Sequence, residues 1–131
     1  MKITLVLVAF IFLASNAVAA DSFATRVHEA KVVEASSSGK AYQPLLWQQV
    51  GSYTATVMRR CFPDGTRPDV TTFTLVADIL PSRALSRVEV RPKTKMSACF
   101  ASGFERAAFP ALPESFGNRI MPIEIDMTVK Q

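Results

Sequence analysis

The sequence predicts an α+β fold in which an antiparallel three-stranded sheet carries two helices on one face. Three observations predict it. Residues 44–61 repeat apolar side chains at helical spacing, residues 73–91 and 121–129 alternate with a period of two, and a second helical stripe lies between the strands. The element order is therefore helix–strand–strand–helix–strand, and each helix buries its stripe against the sheet. At 131 residues, 49% hydrophobic and 20% charged with net charge +4, the chain suits one domain and is too apolar for disorder.

Each element has its own local cause. Pro44 suits the first turn of a helix, and Leu46, Val50, Tyr53, Val57 and Cys61 follow at four- and three-residue intervals as one stripe. Arg59 and Arg60 complement the dipole of its last turn, and Pro63-Asp64-Gly65 ends it. Trp47 reads as packing at the core or its rim; left exposed, it would mark a contact surface. Phe73, Leu75, Ala77 and Ile79 then alternate with Thr74, Val76 and Asp78, as in a strand with one buried face. Pro81-Ser82-Arg83-Ala84 turns the chain into a second strand, Leu85–Arg91, with Val88 and Val90 opposite Arg87, Glu89 and Arg91. Thr94 is the expected N-cap of the second helix, with Met96, Cys99, Phe100, Gly103 and Ala107 inward and Phe104 on the flank. Pro110 and Pro113 stop that helix. Met121, Ile123, Ile125, Met127 and Val129 alternate with polar residues as the last strand, and Pro122 suggests an unpaired edge at its start.

The amino end reads as an export signal at residues 1–20. Lys2 is followed by the apolar run Ile3–Ala14 and by small residues up to Ala20. The run rises only about 18 Å as a helix, short of a hydrocarbon core of roughly 30 Å, so the reading is a cleaved leader and not a stable membrane span. Residues 21–42, with Ser36-Ser37-Ser38-Gly39 and the sole histidine His28, read as a polar linker holding at most a short helix near Arg26–Val33. Residues 43–131 are the folded domain. Export to a periplasm is oxidising, and Cys61 and Cys99 can pair in only one way. Loop entropy gives such a bridge about 4 kcal/mol.

The ordered set resembles the TonB carboxy-terminal domain superfamily, nearest its exported, two-cysteine AgmX/PglI-like branch. The residues that carry the resemblance are the helix end Val57-Met58-Arg59-Arg60-Cys61, the hairpin Phe73–Val76 with Leu85–Val90, and a second helix opening Ser97-Ala98-Cys99 and closing Phe109-Pro110-Ala111-Leu112-Pro113. The match covers roughly residues 43–129. The resemblance implies a domain that pairs with a partner's extended segment. A force-transducing role is not implied, because the leader is cleavable, the linker is not Pro-rich, and Pro81-Ser82-Arg83 stands where the family has a Gly-containing turn.

Chemistry-bearing residues are few. The sequence has no G-x-S-x-G, H-E-x-x-H or phosphate-binding loop, and its carboxylates Asp64, Asp69, Asp78, Glu89, Glu105, Glu114, Glu124 and Asp126 are scattered. The reading is a protein that is not an enzyme and needs no cofactor or metal. Two surfaces are candidates. One is the last strand at Ile123, Glu124, Ile125, Asp126 and Met127, whose edge could pair with an envelope protein or with a second copy as a homodimer. The other is the basic group Arg83, Arg87, Arg91, Lys93 and Lys95, which would suit a small periplasmic inhibitor or ligand-binding protein. Nucleic acid is disfavoured, since no aromatics interleave on that face.

Overall fold

The computed structural model describes residues 22–62, 67 and 69–129; the expected leader lies outside the described residues. Along the chain come α1 (Phe23–Ala35), α2 (Ser37–Cys61), β1 (Phe73–Ile79), β2 (Leu85–Arg91), α3 (Lys95–Phe104), a single 3-10 turn at Glu114–Phe116, and β3 (Met121–Met127). The fold is α+β, and β1 is the central strand of an antiparallel sheet ordered β2-β1-β3.

The expected helix over residues 44–61 begins seven residues earlier, at Ser37. Its start is set by Ser36, whose hydroxyl accepts from the Gly39 N–H at 3.1 Å while donating to the Val33 carbonyl at 2.5 Å. One residue thus ends α1 and begins α2. The corner needs glycine, because a Cβ on Gly39 would lie 2.0 Å from the Val33 oxygen. Pro44 therefore sits inside the helix rather than in its first turn, on the exposed side, where the bond it cannot give to the Lys40 carbonyl is lost in water's reach. The buried stripe of α2 begins at Gly39 and Tyr42 and continues through Leu46, Val50, Thr54 and Val57.

The stretch read as a linker is mostly helix and is part of the packed body. α1 is N-capped by Ser22, whose Oγ accepts from the Thr25 N–H at 3.1 Å. Its buried residues are Arg26 and Ala30, and it lies close against β3. The two faces of β1 explain its position. Phe73, Leu75, Ala77 and Ile79 join the core with α2 and α3, as alternation predicts. Val76 and Asp78 on the opposite face are equally buried, and Asp78 is ion-paired with Arg26 of α1 at 3.9 Å. The sheet therefore has α2 and α3 on one face and α1 on the other.

Four phenylalanines hold the main core. Phe73, Phe100, Phe104 and Phe109 stack in series with ring centroids 5.4 Å apart at each step. Phe104 is fully buried, not flanking, and α3 ends there, so Ala107 lies beyond the helix. Thr94 does cap α3, in a reciprocal box with Ser97. The last turn of α3 and the irregular chain after it have carbonyls satisfied by side chains from elsewhere. Tyr53 donates to Gly103, Gln49 to Ala108, Arg83 to Phe109 and Tyr42 to Pro110, all at 2.7–2.9 Å. Burial pushes the Tyr42 hydroxyl up to about 12.

The Cys61–Cys99 disulfide joins the end of α2 to α3, with Cα atoms 5.8 Å apart. No described helix is long and apolar enough to cross a membrane.

Candidate functional site

Because β1 is central, β2 and β3 are both edge strands, and each presents alternate backbone N–H and C=O groups away from its neighbour. The two edges are differently built. β2 is irregular: between Val76 and Asp78 its register slips by one residue, and Arg87 takes a left-handed φ of 49° there. A groove of about 450 Å³ separates Val88–Arg91 from Ala98, Ala101 and Glu105 of α3. β3 pairs with β1 in unbroken register from Met121 to Met127. Alongside it a cavity of about 260 Å³ opens between α1 and α2, bordered by Glu34, Tyr42, Gln43, Trp47 and the β3 residues 121–126.

The five candidate residues of β3 divide by face. Ile123 and Ile125 are buried in the main core, and Met127 is half-buried at the strand's end. Glu124 and Asp126 lie on the α1 side, where the Lys31 ammonium approaches both, at 3.5 and 3.7 Å. Asp126 also accepts from the Thr74 hydroxyl at 2.6 Å. Burial, with Asp126 as a like-charged neighbour, raises the Glu124 pKa above its ordinary value; Lys31 only partly offsets this. The same carboxylates raise the Lys31 pKa, Glu124 first and Asp126 second.

The candidate basic residues do not form one free surface. Arg87 is bonded to the buried Asp78, and Arg91 reaches Glu89 through Nε at 3.0 Å and Nη2 at 2.8 Å. Arg83 is held by the Phe109 carbonyl, while Lys93 and Lys95 are exposed around the start of α3. Behind them Arg26, itself buried, donates to the Arg87 carbonyl at 2.7 Å and to Glu89 at 3.5 Å. The arginines of β2 thus serve a charged layer between α1 and the sheet.

Sequence reasoning does not place Glu34, Tyr42 and Gln43 beside the β3 edge, because residues 21–42 read as linker and Gln43 lies just before the expected helix start at Pro44. Trp47 had a signal. It lies off the α2 stripe and is 41% exposed, the condition under which it marks a contact surface. Its indole N–H is held by Gln43 at 3.2 Å.

Among the described residues, no group of three or more His, Cys, Asp or Glu could hold a metal ion. Comparison of the chain with protein-family models, curated proteins and solved structures finds no match.

Proposed function

We propose that the protein is a non-enzymatic periplasmic module, similar in plan to TonB carboxy-terminal domains, that takes an extended segment of another cell-envelope protein along the edge of β3. The observation that carries this reading is the edge strand itself. β3 is regular and paired on one side only, and a cavity runs beside it between two helices. An incoming strand gains main-chain hydrogen bonds from such an edge, and flanking pockets then select its side chains. The leader-like sequence of residues 1–20, an apolar run followed by small residues, and the disulfide support the reading of an exported, oxidising location.

A photo-crosslinking residue at the exposed Asp126 position, with a second variant carrying it at Ser102 beside β2, tests the reading in intact envelopes. The expected result is a crosslinked extended segment of an envelope protein from position 126, reduced when Glu124→Pro removes a backbone donor that, like the position of Pro122 two residues earlier, faces away from β1. Crosslinking confined to position 102 would move the docking edge to β2. A folded Glu124→Pro variant that crosslinks as well as the parent would overturn pairing along β3.

A further inference from the structure

The cavity beside β3 has a charge imbalance that identifies its ligand. Three carboxylates border it, from Glu34, Glu124 and Asp126, and no lysine or arginine is among its bordering residues. The nearby cation is Lys31, which is 53% exposed and approaches Glu124 and Asp126 only at 3.5 and 3.7 Å. The Glu124 side chain is 8% exposed, and its Oε2 has no hydrogen-bond partner. A buried carboxylate oxygen without a donor is a costly arrangement unless something supplies one. Trp47 adds an aromatic wall whose N–H is already engaged by Gln43.

We propose that this cavity receives an arginine side chain carried by the extended segment that pairs with β3. The inference rests on the edge-pairing reading and adds the chemistry of the partner. A guanidinium fits for three reasons. It carries five N–H donors in a planar fork, so one group can serve Glu124 while reaching Asp126 or Glu34. It is more weakly hydrated than an ammonium, which eases its entry between two helices. Its flat face also stacks on an indole, as Trp47 allows. Alternate side chains of a strand on β3 point to the same side, so one such residue sets the register of the segment as well as its charge.

Trp47 is the sole tryptophan, so its fluorescence reports on the cavity alone. The probes are a heptapeptide of alternating Thr and Val with a central Arg, the same peptide with citrulline, and the Arg peptide N-methylated at alternate amides. Binding of the Arg peptide should change the Trp47 emission, and citrulline should weaken it at least tenfold. Glu124→Gln, and separately the more exposed pair Glu34→Gln and Asp126→Asn, should each weaken it at least fivefold while circular dichroism stays that of the parent. Equal affinity for Arg and citrulline, unchanged affinity in both sets of variants, or no binding of any peptide overturns the arginine site. If the N-methylated peptide binds as well as its parent but citrulline does not, the arginine site stands and strand pairing on β3 falls.

Discussion

Arg26 offers the sharpest test of how the second face of the sheet is closed. Its side chain is 8% exposed, faces the 2%-exposed Asp78, and donates to Glu89 and to the Arg87 carbonyl. Replacing it by Met keeps length and helix propensity but removes the charge. Breaking a buried pair from one side costs about 3–5 kcal/mol, because the remaining charge is left uncompensated. Asp78 retains the half-exposed Arg87, which puts the expected loss at the lower end, about 3 kcal/mol. With a urea slope near 1.5 kcal/mol/M, the unfolding midpoint of Arg26→Met should fall by about 2 M. The double variant Arg26→Met/Asp78→Val should recover most of that loss, since an apolar pair replaces the buried charges and Arg87 can turn to solvent. A single-variant loss below about 1 kcal/mol, or a double variant as unstable as the sum of its parts, would refute the claim that this ion pair seats α1.

Three further outcomes follow from packing and charge. Reducing the Cys61–Cys99 bridge, or replacing both residues by Ser, opens a loop with a sequence separation of 38 and should cost about 4 kcal/mol in urea melts with and without reductant. Gly103→Ala would place a Cβ 2.5 Å from Val57 Cγ1, so it should destabilise by about 1–3 kcal/mol, and adding Val57→Ala should return part of that. Glu124 has a raised folded pKa, so the fold favours its protonated form and its contribution to stability falls as pH rises from the unfolded value through the folded one. Glu124→Gln should therefore gain stability relative to the parent between pH 4 and pH 7; urea melts showing the variant losing ground over that range would contradict the sign.

The sheet and the two later helices were legible because their burial is apolar and periodic. β3 is the clearest case: Met121, Ile123 and Ile125 all enter the core, as alternation predicts. α1 is legible only as a short helix near Arg26–Val33, for the converse reason. Its fully buried positions are Arg26 and Ala30, its apolar residues Phe23, Val27 and Val33 are only half-buried, and the partners of Arg26 lie 61 and 63 residues away. Reading that helix as part of a linker also hides the second buried face of β1, where a one-faced pattern accounts for Phe73 and Leu75 but not for the burial of Val76 and Asp78. The basic group failed as a single surface because the register slip in β2 brings Arg87 to Asp78, a pairing that no spacing along one strand reveals. The cavity beside β3 draws on α1, α2 and β3 together, so only the assembled chain shows its carboxylates side by side.

The seat of α1 also orders assembly in time. Its ion pairs run to Asp78 and Glu89 and, through Lys31, to Glu124 and Asp126 near the far end of the described chain. Non-local contacts of this kind form only after the intervening chain has closed. A chain threaded amino end first therefore presents α1 early, with only α2 beside it, until β1, β2 and β3 have formed the sheet. Because one of the two fully buried residues of α1 is an arginine, its seat is completed by ion pairs as well as by apolar contact. Arg26, the charge on that buried face, thus ties the final seating of α1 to the strands that supply its partners.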